Sequence, residues 1–222
     1  MPHLIVSYDG TRNDRDALAL GQLFAAAGAE VSLAYVRHAA ESDPGREADV
    51  QREAEHMLEV GARQLNGAGA GQHVVLNPST SRGLAELATE LGADAIAFGS
   101  SYRTPPGQVA LPHTAQQLLD GGSAWSLAVA PAGLRREPVE RSIGTVRVDH
   151  GDEDEAATTT AQSLAHALGA VLTDDDADLL VIPSRGDAPA GRLLLSAPGR
   201  ERLDQARCPV LALPRGKPLT FG

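Results

Sequence analysis

Short apolar runs alternate with longer stretches whose apolar residues recur at helical spacing. HLIVS, residues 3–7, is such a run, stopped by Asp9-Gly10, and it predicts a buried strand. The following NDRDALALGQLFAAAG predicts a helix: Asn13 stands at the capping position, Asp14 and Asp16 suit the first turn, and Leu20, Leu23, Phe24 and Ala27 share one face, with Gly28 as the stop. EVSLAYVR is a second strand. A polar entry then leads to a helix with Val50, Met57, Leu58 and Leu65 turned inward, ended by a glycine-rich stop. HVVLNPS is a third strand, and the helix after it carries Leu84, Leu87, Ala88 and Leu91 at helical spacing. AIAFGS, a helix in TAQQLLDGG and the strand AWSLAVAP complete the series. Strands and helices in strict alternation predict an α/β fold whose parallel sheet is covered on both faces.

The pattern breaks at AGLRREPVERS, residues 132–142, which is charged and contains Pro138. Beyond it the pattern restarts. SIGTVRVDHG resembles PHLIVSYDG, EAATTTAQSLAHALGA resembles the first helix, DADLLVIPSRG resembles GADAIAFGSSY, and CPVLALPRG resembles WSLAVAPAG. The chain therefore reads as an internal duplication with a shortened second copy. The expected boundaries are a complete domain at 1–133, a linker at 134–142 and a shortened domain at 143–222. Only VLTDD separates the second copy's first helix from DADLL, so its second and third strands are mostly missing. Residues 170–173 are expected to supply one vestigial strand.

Composition narrows the partners. The 222 residues are 42% hydrophobic but only 3% aromatic, so the core must be built from Leu, Val, Ile and Ala. A net charge of −10 repels nucleic acid and anionic membrane surfaces. No apolar run approaches the roughly 18–20 residues that span a bilayer. The first residues lack the basic start and long apolar core of a signal peptide. The single cysteine, Cys208, cannot form an internal disulfide. These features predict a soluble, cytoplasmic protein without nucleic-acid or membrane partners.

Candidate chemistry is sparse. The seven histidines show no paired helical spacing with acids, so no metal site is expected. TDDDAD, residues 173–178, lacks the glycine and downstream glutamate of a calcium loop and reads as a solvated turn. No Gly-x-Ser-x-Gly elbow and no Gly-Lys-Ser/Thr phosphate loop is present. Cys208 reads as buried and inert.

The order and spacing of VSYDG, VSLAYVR, ELGADAIAFGS, LAVAPAG and the long PSRGDAPAGRLLLSAPGRERLDQARCPVLALPRG make the chain resemble a tandem universal stress protein over nearly its whole length. The resemblance implies an adenine-nucleotide-binding-like, Rossmann-like sheet of strand order 3-2-1-4-5. It also implies two copies paired through their last strands, here 127–131 and 210–214. That pairing would shield an apolar edge.

In nucleotide-binding members, the first-strand aspartate and the backbone at the end of the second strand contact adenine. A Gly-x-x-Gly, nine residues, Gly, Ser/Thr loop wraps ribose and phosphates. Asp9, beside Ser7, takes the aspartate's place, and Val36 the second-strand position. Gly99 is the first loop glycine, Tyr102 replaces the second, Pro112 the third, and His113 the hydroxyl residue, with Thr114 one step later. These seven residues, Ser7, Asp9, Val36, Gly99, Tyr102, His113 and Thr114, form a degenerate candidate nucleotide pocket.

Pro112 has no N–H to offer a phosphate, and losing one charge-assisted hydrogen bond costs about 1.5–3 kcal/mol. Pro112 suits a helix start, with His113 and Thr114 capping it, and Tyr102 is expected to cover the sheet end. In the second copy Asp149 takes the aspartate position and Gly186 the second glycine. Pro183, Ser196 and Ala197 replace the rest, and Asp152, Glu153, Asp154 and Glu155 would repel phosphate. The expectation is a non-enzymatic stress-response protein with adenine-nucleotide binding weakened or lost in the first domain, acting through protein partners or as a homodimer. The alternatives are a functional ATP or AMP sensor with a modified loop, and an adenine-nucleotide hydrolase-like enzyme.

Overall fold

A computed structural model describes residues 1–65, 69–136, 143–152 and 154–222. Within them the chain forms strands β1 (His3–Ser7), β2 (Glu30–Arg37), β3 (Gly71–Leu76), β4 (Ala95–Gly99), β5 (Ser126–Ala130), β6 (Thr145–Val148), β7 (Val171–Leu172), β8 (Leu179–Pro183) and β9 (Val210–Leu213). The helices are α1 (Asp14–Ala26), α2 (Pro44–Gln64), α3 (Thr80–Glu90), α4 (His113–Asp120), α5 (Glu155–Leu168) and α6 (Ala197–Gln205). All nine strands join one sheet in the order β3-β2-β1-β4-β5-β9-β8-β6-β7. The first five follow the expected 3-2-1-4-5 order.

Every pairing is parallel except β5 with β9. There Leu127 faces Ala212 and Val129 faces Val210, centred on Ala128 opposite Leu211. The register is symmetric about that central pair, as an isologous contact between two like units would be. Both strands are fully buried, so each hides the other's edge.

Helices cover both faces because the central strands are apolar on both sides. One core gathers Leu20 and Phe24 of α1, Leu58 of α2 and Leu164 of α5. The other gathers Leu84 of α3, Leu118 of α4 and Leu203 of α6. Local chemistry sets the helix starts. Asp43 accepts N–H bonds from Gly45 and Arg46 at 2.7 and 3.1 Å to open α2 behind Pro44. Asp154 accepts from Ala156 at 3.0 Å to open α5. Asn13 stands at the head of α1 but makes no side-chain cap.

The anticipated vestigial strand is β7, which pairs with β6 and leaves Val171 and Leu172 62% and 46% exposed at the sheet's edge. Of the anticipated linker, Leu134–Arg136 forms a 3-10 turn, and 137–142 lie outside the described residues. Asp16, buried on α1, holds this turn by accepting from the Gly133 and Arg135 N–H groups, both at 2.9 Å, and from the Arg135 guanidinium at 2.7 Å.

Candidate functional site

In an open α/β sheet the ligand crevice lies beyond the strand ends where the order reverses, here between β1 and β4. Gly99 closes β4, and a Cβ there would stand 2.1 Å from the Asn13 carbonyl oxygen. The head of α1 thus rests directly on the end of β4, and only glycine permits that approach. Ser7 ends β1, half-buried and paired with Ala34.

Asp9 follows β1 and is exposed. Its N–H donates to Asp14 Oδ2 at 2.5 Å, and its Oδ1 accepts from the Thr11 N–H at 2.9 Å. Burial and the facing Asp9 carboxyl push Asp14 up to about 8. Partial burial opposes ionisation of Asp9, but hydrogen bonds from Asp14 and Thr11 hold it below its ordinary value. The two carboxyls therefore keep one proton between them at neutral pH and still present one negative charge at the crevice.

The Val36 side chain packs under α3, where a Cβ on Gly83 would meet it at 3.0 Å. The Tyr8 N–H donates to the Ala34 carbonyl at 2.9 Å, so the backbone of Val36, two residues on, faces the same side, past the end of β1. The strand runs on to Arg37, whose buried guanidinium reaches Glu47 at 2.7 Å and Gln51 at 2.9 Å on α2. The guanidinium holds Glu47 down to about 2. This ion pair closes the end of β2. Its only sequence signal was an arginine closing an otherwise apolar strand.

Tyr102 was expected over the sheet end, but it is 73% exposed, with the Arg103 guanidinium 5.1 Å from its ring centre. The loop turns the ring outward because its own backbone already closes the sheet end. Pro112 heads α4, as expected, with extended φ and ψ of −67° and 158°. His113 and Thr114 were expected to cap that helix. They instead form its first two residues, and no side chain caps it.

Between β4 and α4 the loop folds onto itself. Ser101 N–H donates to the Ala110 carbonyl at 3.0 Å, Thr104 N–H to Ser101 at 2.9 Å, and Gln108 N–H to Pro105 at 3.2 Å. Gly107 N–H reaches the Ala132 carbonyl at 2.8 Å, and Val109 N–H reaches Ala206 at 3.1 Å. Ala110 N–H binds Ser100 Oγ at 3.1 Å. Pro105, Pro106 and Pro112 have no N–H. A phosphate cradle works by leaving such donors free.

The same bonds recur between β8 and α6. Arg185 N–H donates to Leu194, Ala188 to Arg185, Arg192 to Pro189, and Gly191 to the Arg215 carbonyl. Leu194 N–H binds Ser184 Oγ at 2.9 Å. Leu193 N–H crosses to Ser123 at 2.7 Å, as Val109 crosses to Ala206. Each loop is thus pinned by the other half of the chain.

At the head of α6, Ser196 Oγ accepts the Gly199 N–H at 3.2 Å and donates to Asp152. Of the acidic group expected to repel phosphate, Asp152 and Asp154 are already engaged as hydrogen-bond acceptors, and Glu153 lies outside the described residues. Asp149 does not take the place of Asp9. Asp94 accepts the His3 N–H and Asp178 the Thr145 N–H, which sets Thr145 level with His3 and Asp149 level with Ser7. Cys208 is half-buried rather than buried, and burial pushes its thiol up to about 11.

The cavity of about 1510 Å³ lies elsewhere and is lined by none of the seven candidate residues. Among the described residues no group of three or more His, Cys, Asp or Glu converges as metal ligands do, and no helix is long and apolar enough to cross a membrane.

A model described as the universal stress protein family matches residues 1–124. No curated protein matches the chain. Among solved structures, a universal stress protein from Archaeoglobus fulgidus DSM 4304 is similar at 14% identity, with 96% of this chain and 98% of that one covered and a TM-score of 0.71. The functionally unknown protein PA1789 from Pseudomonas aeruginosa PAO1 is similar at 14% identity, 97% and 93% coverage and a TM-score of 0.66.

Proposed function

The chain belongs to the universal stress protein family, and from that premise we propose that it is a non-enzymatic regulator of the stress response whose first half has lost its grip on adenine nucleotides. In this reading residues 1–133 are a complete family domain and 143–222 a shortened duplicate, joined by 134–142. The loop bonds repeated at Ser100 and Ser184 and the symmetric β5–β9 register support that duplication.

The observation that carries the loss of binding is the β4–α4 loop. Its N–H groups from Ser101, Thr104, Gly107, Gln108, Val109 and Ala110 all serve the protein itself. The residues present fit a bound triphosphate poorly: six loop N–H groups are already taken, Pro112 offers none, and the Asp9–Asp14 pair adds negative charge. The second half supports nucleotide binding still less, because β7 alone stands where β2, β3, α2 and α3 stand in the first, and Ser196 and Asp152 fill the head of α6. Its role is to cover the β5 edge.

Such a protein acts through partners, as a homodimer or with other proteins, in the cytoplasm. The acidic charge and single thiol accord with that setting. Calorimetric titration of ATP and of AMP, each with magnesium, tests the reading. The expected result is no saturation below millimolar concentration. Micromolar ATP binding that His113→Ala abolishes would instead favour the sensor, and phosphate release at catalytic rates would favour an enzyme.

A further inference from the structure

The two ends of the sheet differ. β7 closes one end with two residues, and Asp174, Asp175 and Asp176 follow it directly, all exposed. β3 closes the other with six residues, GQHVVL, none of them an acid, a lysine or an arginine. Burial and the neighbouring His3 hold His73 below its ordinary value, so it too is neutral at neutral pH. β3 and the helices that cover its faces, α2 and α3, lie wholly among the described residues. A short strand and nearby charges protect an edge from other chains, whereas a long uncharged strand admits them.

The backbone of β3 is directed to match. The Asn77 N–H donates to the Arg37 carbonyl at 2.9 Å, so by alternation Gly71, His73 and Val75 turn their N–H and C=O groups toward β2. Gln72, Val74 and Leu76 turn theirs outward, and among the described residues no strand lies beside them on that side. At β7 the Val171 and Thr173 N–H groups donate to Gly144 and Val146 of β6 at 2.9 and 3.0 Å, and only Leu172 between them faces out.

The β3 edge is complementary to itself. Antiparallel pairing about Val74 sets Val74 opposite its own copy and Gln72 opposite the second copy's Leu76. All these positions face outward, so each pair exchanges both of its hydrogen bonds. Gln72, Val74 and Leu76 also share the α2 face of the sheet, and the pairing covers the Leu76 side chain, now 55% exposed. The charges of the flanking helices are partly matched within the chain, Arg52 with Asp49 and Arg63 with Glu59 on α2, and Arg82 with Glu86 on α3. In a chain of net charge −10, an edge without carboxylates is where two copies meet with least repulsion. The chain already joins two like strands in this manner, at the symmetric antiparallel contact of β5 with β9. A two-fold pairing at β3 closes on itself, and the short acidic β7 left at each far end stops further growth.

We propose that β3 pairs with β3 of a second copy, antiparallel about Val74, giving a reversible homodimer with one sheet running through both chains. A contact of one strand and its flanks is small, which places the dimer in the weak, reversible class. This deepens the homodimer part of the functional reading and rests on it. Its test uses no nucleotide, so the loss of nucleotide binding stands or falls separately.

The test is sedimentation equilibrium of the full chain from micromolar to millimolar concentration. A reversible monomer–dimer equilibrium is expected. Gln72→Lys with Leu76→Lys sets like charges opposite each other at both ends of the register and is expected to weaken dimerisation about tenfold. Gln72→Lys with Leu76→Glu sets opposite charges at the same two places and is expected to dimerise at least as tightly as the parent. Leu172→Lys, on β7, should leave the equilibrium unchanged. Thermal melting checks that each variant folds. A chain that stays monomeric throughout would overturn the proposal and the homodimer with it, leaving the edge to a strand of another protein. A dimer that the two double variants affect alike, or that Leu172→Lys disrupts, would overturn the proposal and leave the homodimer standing.

Discussion

At the head of α4 stands Pro112, with no side chain turned back to cap it. At the head of α6, in the corresponding place, Ser196 caps the helix and is itself held by Asp152. The loops leading to the two helices share one set of hydrogen bonds, each completed by a carbonyl from the other half of the chain. The second half has filled its anion position with its own hydroxyl and carboxylate. The first half has kept the helix terminus open while spending its loop donors internally. The comparison teaches that the loop's shape is held by bonds within the chain and between its halves, so it does not need a ligand to persist. A family loop in place is therefore not evidence of a family ligand.

Three perturbations sharpen that contrast. The largest concerns one face of α5 and one of α1. Phe221→Ala removes a ring that is buried in the shared core and stacked on Phe24, and should destabilise the fold by about 3 kcal/mol in urea unfolding. Leu23→Ala, on α1, should cost less than about 1 kcal/mol because the side chain is only half-buried. Equal costs would mean that the two helix faces are buried alike.

A somewhat smaller effect is expected at the strand ends. Gly99→Ala drives a methyl group into the Asn13 carbonyl and should cost about 2–3 kcal/mol. Gly186, in the second loop, has open space around it, so Gly186→Ala should stay within about 0.5 kcal/mol. Chemical denaturation of the two variants side by side distinguishes a packed crevice from a free loop.

The smallest effect is in pH dependence. Asp14 keeps its proton up to about 8 in the folded chain, against an ordinary value of 3.8. The folded state therefore binds more protons than the unfolded one between these values, and this group's contribution to stability falls as pH rises through that window. Asp14→Asn keeps the hydrogen bond from the Asp9 N–H and removes the titration. Its midpoint should gain on the parent between pH 5 and pH 8. A constant difference across that range would show that the pair shares no proton.

Much of the fold was legible because buried parallel strands are short apolar runs with sharp stops. His3–Ser7 was read to the residue, and β7 was visible as an apolar remnant between the α5 stop and an acidic turn. The β5–β9 contact was implied by the family resemblance, and two apolar edges that each need cover give it its physical sense. The site was less legible. The loss of donors showed at Pro112, but the use of the remaining N–H groups depends on Ala132 and Ala206, distant in sequence. Tyr102 was misplaced for the same reason, since nothing local shows that the backbone already closes the sheet end. The level of Asp149 was obscured because β6 and α5 are joined by a slightly different spacing from β1 and α1. The bonds to Asp94 and Asp178, with the pairing of Leu4 to Ala95 and of Val146 to Leu179, fix the register. The packing of residues 216–222 on α5 was invisible because its partners, Thr160 and Ser163, look like ordinary helix residues.

A crystal grown in saturating magnesium ATP tests the central claim most directly. The account predicts the Ser101–Ala110 and Gly107–Ala132 bonds unbroken and no triphosphate at the head of α4. Ordered β- and γ-phosphates held at full occupancy by His113 and Thr114, with the loop reopened around them, would contradict it.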